Sequence, residues 1–258
     1  MKKIYFASDF HLGIPGKLSS SERERKIVRW LDFIADTAEE IFLVGDLFDF
    51  WFDYKYAAPQ GFVRLLGKIA ELTDQGIPIH IFKGNHDLWM KNYLKNELGV
   101  RIYSKPIERE WNGKLFLIGH GDGLGPGDYG YKWMKKIFTN PLAKNLYSWL
   151  HPDLGIPLAY YFSGTSRASQ SKIPDQFLGP QKEWLIQYSE KKLLSKNYDY
   201  FIFGHRHIPI FFRLSNQKSI YINLGEWLNQ CTYAVLDQGQ IELKSYENDN
   251  AIIISNDS

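Results

Sequence analysis

Hydrophobic and polar positions follow two different rhythms along the chain. In the first third, short apolar runs recur: "KIYFAS" (3–8), "EIFLVG" (40–45) and "IPIHIFKG" (77–84). Runs this short, closed by Gly, Asp or Asn, predict buried strands. Between them, "SERERKIVRWLDFIADTA" (21–38) carries Ile27, Val28, Trp30, Leu31 and Ile34 at helical spacing, with Ser20 or Ser21 as N-cap. "FVRLLGKIAELTDQG" (62–76) predicts a second helix, stopped at Gly76. Strand, helix, strand, helix, strand with short joints implies a parallel α/β core.

The rhythm then changes. "KLFLIGHGD" (114–122), "DYFIFGH" (199–205), "IPIFFRL" (208–214), "KSIYINLG" (218–225) and "CTYAVLD" (231–237) read as strands, with little helix between the last four. Antiparallel additions and a second sheet are expected. The stretch between them breaks at prolines and glycines and predicts several helices. The expected organisation is one domain over residues 1–246, a helical insert over about 124–198, and a frayed tail over 247–258.

Composition narrows the classes. The 258 residues are 44% hydrophobic and 23% charged, an ordinary globular balance, and the net charge of +2 argues against a nucleic-acid binder. A single cysteine, Cys231, excludes an internal disulfide framework and fits a reducing compartment. Asp9 interrupts the first apolar run too early for a signal-peptide core, so a cytoplasmic location is expected. Aromatic residues, at 16%, are unusually frequent and imply much apolar surface to cover or an apolar ligand to hold.

Candidate chemistry sits at the strand ends. Asp9-Phe10-His11 follows the first strand, Gly45-Asp46 with Asp49 the second, and Gly84-Asn85-His86-Asp87 the third. Later strands deliver Gly119-His120-Gly121-Asp122 and Gly204-His205-Arg206-His207. Each motif alone could be a turn or a cap. Five at successive strand ends, where open α/β sheets place their ligand crevice, supply the carboxylate and imidazole mixture that one or two divalent cations need. In an extended chain His205 and His207 point to one side and Arg206 to the other, leaving the arginine a packing or ion-pair role.

In this order, D-x-H, G-D-x-x-D, G-N-H-D, G-H-G-D and G-H-x-H resemble the calcineurin-like metallophosphoesterase superfamily. The resemblance implies an α/β fold, a four-layer α/β/β/α sandwich with a helical cap, and two divalent ions at the strand ends. It implies that Asp9, His11, Asp46 and His207 hold one ion, and Asp46, Asn85, His120 and His205 the other, with Asp46 bridging. Cations held ~3.5–4 Å apart can clamp a phosphoryl oxygen and ionise water. Mn²⁺ suits these oxygen and imidazole donors, with Fe, Zn or Mg as alternatives. His86 is the implied general acid or phosphate contact, paired with Asp49.

The insert points to the substrate. Its Trp, Phe, Leu, Tyr and Lys content, with few acids, suits an amphiphile whose tails lie inside and whose phosphate sits at the rim. "GDLFDFW", "GHGDGLGPGDYGYKWMKK" and "TSRASQSK" resemble the UDP-2,3-diacylglucosamine pyrophosphohydrolases of lipid A synthesis. That implies manganese-dependent hydrolysis to UMP and 2,3-diacylglucosamine 1-phosphate, with peripheral contact at the inner membrane surface. Substrate contacts would fall on Asp128, on Thr165 or Ser166, and on Lys172. One departure stands out: the best-known branch has arginine and glutamate where this chain has His86 and Asp49. The alternatives are a phosphodiesterase for a smaller nucleotide and a metal-stabilised scaffold without catalysis.

Overall fold

A computed structural model describes residues 2–126, 129–170, 176–249 and 251–256, with side chains for all of these but 165–170. Strands β1 (Lys3–Ala7), β2 (Ala38–Leu43) and β3 (Ile79–Phe82) run parallel, and α1 (Ser20–Ala35) and α2 (Val63–Asp74) make the crossovers. After α3 (Tyr93–Leu98), β4 (Arg101–Tyr103) adds parallel to β3. The opposite edge is closed from late in the chain. There β10 (Thr232–Asp237) pairs antiparallel with β1, and β11 (Gln240–Ser245) pairs with β10.

The second sheet is built from β5 (Ile107–Trp111), β6 (Lys114–Ile118), β7 (Tyr200–Phe203), β8 (Pro209–Arg213), β9 (Ile220–Leu224) and β12 (Ile254–Ser255). Its order is β12-β8-β9-β7-β6-β5, with a parallel centre, β6–β7–β9, flanked by the antiparallel pairs β5–β6 and β8–β9. Alternation along each strand creates the layers. In β1, Tyr5 and Ala7 pack with Trp30, Leu31 and Ile34 of α1 and Leu65 and Ile69 of α2. Ile4 and Phe6 instead meet Phe116, Ile202 and Ile222 between the sheets. In β7, Phe201 and Phe203 pack against Leu185 and Ile186 of α7 (Trp184–Leu193). The result is helix, sheet, sheet, helix. Burial on both faces is why the strands read as continuous apolar runs.

Between β6 and α7 lie α4 (Tyr129–Thr139), α5 (Pro141–Ser148) and α6 (Pro152–Gln170), the helical insert. Three local features differ from the sequence reading. The N-cap of α1 is Ser19, which exchanges bonds with Glu22 in a capping box, while Ser20 Oγ accepts from the Gly13 amide at 2.8 Å. The elements α3, β4, β5 and β11 were not anticipated; "IEREW" alternates, but Pro106 cuts off its pattern. The tail returns at Ile254–Ser255 as β12, parallel to β8.

Candidate metal centre

All five strand-end motifs arrive at one place. The loops after β1 and β2 are laced together by backbone bonds from Asp9 N to Gly45 O and from His11 N to Asp46 O, both 3.0 Å. Arg23, buried on α1, braces the same loop by donating to Phe10 O (2.9 Å), His11 O (2.6 Å) and Ile14 O (2.8 Å). Sequence reasoning missed it, although position 23 lies one turn before Ile27 on the buried face of α1. The loops are strained: Asp9, His11, Asp46, His205 and His207 all have φ between 44° and 70°. Left-handed backbone costs on the order of 1–2 kcal/mol at a residue with a Cβ, so the surroundings must hold it there.

His205 and His207 are therefore not neighbours on an extended strand. Strand β7 ends at Phe203, and Arg206 N turns back to Gly204 O at 2.8 Å. Positive φ at both histidines sends them to different groups. His207 joins Asp9 and His11; His205 joins Asp46 and His120; a third group combines His11, Asp46 and His86. Within each group the ligand atoms lie within 4.8 Å of one another.

The donor atoms converge without satisfying each other. His120 Nδ1 donates to Val44 O at 2.8 Å, so its Nε2 presents toward Asp46 Oδ2 at 3.2 Å and Asn85 Oδ1 at 3.3 Å. His11 Nε2 and His207 Nε2 stand 3.0 Å apart, facing Asp9 Oδ1 at 3.6 and 3.2 Å. Asp9 Oδ1 and Asp46 Oδ2 are buried and take part in no hydrogen bond of acceptable geometry. Buried carboxylate oxygens and imidazole nitrogens aimed at common points call for positive charge there. Carboxylate, imidazole and carboxamide donors without thiolate fit one or two divalent cations.

Proton affinities express the same demand. Burial opposes charge on His11, but Asp49, Asp9 and Asp46 override it and raise its pKa to about 10. His120 is also buried, and Asp46 raises its pKa to about 10. Burial would raise Asp9 and Asp46, yet the surrounding imidazoles hold both below the usual carboxylate range. For His205, burial and then the His120 charge lower the pKa to about 3, leaving the neutral, ligating form.

His86 follows Asn85, and its backbone N donates to Asp46 Oδ1 at 2.8 Å. Its Nδ1 lies 3.3 Å from Asp49 Oδ1 and 2.8 Å from Ser163 Oγ, and Ser163 Oγ donates to Asp49 Oδ2 at 2.9 Å. Ser163 belongs to α6 of the insert, and the sequence held no signal for it. Asp122 anchors the insert too, accepting from Tyr131 and Lys135 of α4. Of the expected substrate contacts, Asp128 and Lys172 lie outside the described residues. Thr165 and Ser166 lie on α6, with side chains outside the description.

Comparison with known proteins gives the following likenesses. A family model for calcineurin-like phosphoesterases matches residues 2–209. A UDP-2,3-diacylglucosamine hydrolase of Porphyromonas gingivalis is 40% identical over 95% of this chain and 98% of its own length. One from Shewanella halifaxensis is 24% identical over 93% and 97%. Among solved structures, the Escherichia coli phosphoesterase Yfce aligns with a TM-score of 0.48 at 14% identity, covering 94% of this chain and 92% of that one.

Proposed function

The chain belongs to the calcineurin-like phosphoesterase family of metal-dependent hydrolases, and from that premise we propose that it cleaves the pyrophosphate bond of UDP-2,3-diacylglucosamine, giving UMP and 2,3-diacylglucosamine 1-phosphate. One observation carries the choice of substrate: the ligand cluster lies beneath an insert whose apolar side chains are left exposed. Tyr129, Trp133 and Ile137 form a stripe on α4, and Leu154, Leu158, Tyr161 and Phe162 another on α6. Such surface fits acyl chains and the edge of a bilayer. No helix of the described residues is long and apolar enough to cross a membrane, so peripheral contact with the inner leaflet is the arrangement proposed.

In this reading Asp9, His11 and His207 hold one divalent ion, Asn85, His120 and His205 a second, and Asp46 both, with Mn²⁺ the metal proposed. Bound there, the ions supply Lewis acidity toward the phosphoryl oxygens and lower the pKa of water. The chain's own groups set the geometry. Val44 O fixes the His120 tautomer by accepting from Nδ1, which leaves the lone pair of the neutral Nε2 for the metal. His86, oriented through Nδ1, is the proposed phosphate contact or acid for the leaving oxygen.

The test supplies purified protein and Mn²⁺ with UDP-2,3-diacylglucosamine or with bis(p-nitrophenyl) phosphate. UMP release from the lipid is expected to exceed turnover of the small ester by orders of magnitude in kcat/KM. Equal or reversed preference overturns the assignment and favours the small-nucleotide phosphodiesterase.

A further inference from the structure

We propose that Ser163 is a positioning residue for His86, supplied by the insert to a catalytic pair that belongs to the core. The inference rests on the hydrolase reading above and concerns how the site is completed. A serine hydroxyl has one proton, and here it goes to the Asp49 carboxylate at 2.9 Å. Toward His86 Nδ1, at 2.8 Å, the same oxygen can then only accept, so that bond's proton lies on Nδ1. Asp49 Oδ1, 3.3 Å from Nδ1, reinforces this and cannot donate. Both partners therefore hold a proton on Nδ1, so that the second proton of the imidazolium sits on Nε2, where it can be donated to the phosphate or its leaving oxygen.

The serine reaches this position because α6 is docked by aromatic contacts. Tyr160, one turn earlier, packs against Phe50 at 6.0 Å between centroids, and Tyr147 of α5 packs against Phe52 at 4.8 Å and Trp89 at 4.5 Å. Phe50 directly follows Asp49. The side chain that aligns His86 thus arrives only with the seated insert. A substrate whose apolar part engages the insert meets the aligned form of the acid, and displacement of α6 removes the alignment.

Three measurements test this on the Mg²⁺-loaded protein, which is diamagnetic: ring-nitrogen NMR of His86, steady-state kinetics, and thermal melting, each for Ser163→Ala and Ser163→Thr. The Ala variant is expected to shift the His86 Nδ1 resonance. It should also lower kcat about ten-fold on both the lipid and the soluble ester, with KM little changed. Thr, which keeps the hydroxyl, restores both. Should Ala melt early, the near-isosteric Ser163→Cys reads the same loss through a weaker donor. An unmoved His86 signal overturns the proposal. So does a raised KM for the lipid alone with kcat intact, which would make Ser163 a substrate contact. Failure of the substrate reading appears separately, as a wild-type protein that ignores the lipid while hydrolysing the small ester.

Discussion

At Gly204 and Gly84 there is no room for a methyl group. A Cβ on Gly204 would overlap Ser8 Oγ and crowd Asp9 Oδ2, and one on Gly84 would overlap the Asp46 carboxylate. The glycines beside the metal-ligand candidates are thus spaces into which carboxylates are pressed. Gly204→Ala should destabilise the fold by about 1–3 kcal/mol and weaken metal binding, because Asp9 must move. Urea unfolding and competition with a chelator measure the two effects. Gly67→Ala is the control: it lies exposed in α2, nothing stands within 4 Å of its Cβ, and it should stabilise by about 0.5–1 kcal/mol. Equal destabilisation by both substitutions would sink the steric argument. At this scale the sequence was informative wherever chemistry sat beside a strand-ending glycine. Ser163 was opaque because its importance comes from what the chain folds against it, whereas the helical spacing put Arg23 on the buried face of α1 without showing which carbonyls it would meet.

Between elements, the connection that matters most runs from the second histidine loop to α7. Arg206 Nε lies 3.0 and 3.2 Å from the two carboxylate oxygens of Glu183, the residue that starts the helix, and its guanidinium lies over the Trp184 ring at 4.5 Å. Both side chains are buried. Burial pushes the Glu183 carboxyl up, and Arg206 pulls it part of the way back. The pair clamps a loop whose flanking histidines both hold left-handed backbone. Glu183→Ala should cost about 3–5 kcal/mol by leaving Arg206 buried and uncompensated. Pairing Glu183→Leu with Arg206→Leu should recover much of that stability but not the metal affinity, since the loop loses its anchor. Full recovery of both would show that the clamp serves packing alone. A packing or ion-pair role for Arg206 was expected from alternation along an extended stretch, and Arg206 has both, with Glu183 and Trp184, although the geometry that led to the expectation is not the one found. The turn was not legible: an extended stretch was expected, and positive φ at His205 and His207 replaced it.

Across the whole molecule, two parts were unequally legible. The middle of the sandwich could be read because β1, β3, β7 and β9 are buried on both faces and each crossover helix carries one apolar stripe, whereas the edge strands β4, β5 and β11 are half exposed and gave no such run. The insert offered composition alone. Its helices reach the ligand cluster through Ser163 and Tyr131, and their apolar residues are divided between docking, as Tyr147 and Tyr160 are, and exposure, as Trp133 (67%) and Trp149 (88%) are. Four lysines and no acidic residue lie between positions 129 and 148; Lys135 is paired with Asp122, and the other three place positive charge beside that apolar surface. Trp133→Ser combined with Trp149→Ser removes side chains that contribute little to the fold, so the melting temperature should stay nearly constant. A tryptophan buries ~150–250 Å² when fully covered, and at ~25 cal/mol per Å² even partial insertion is worth more than 1.4 kcal/mol. Binding to phosphatidylglycerol vesicles should therefore fall by at least about ten-fold, and the remainder should weaken with salt as the lysines are screened. Turnover of the lipid presented in those vesicles should drop in parallel, while turnover of the soluble ester stays at the wild-type rate. An equal loss on both substrates would place the two tryptophans in the support of the metal centre and not at the membrane.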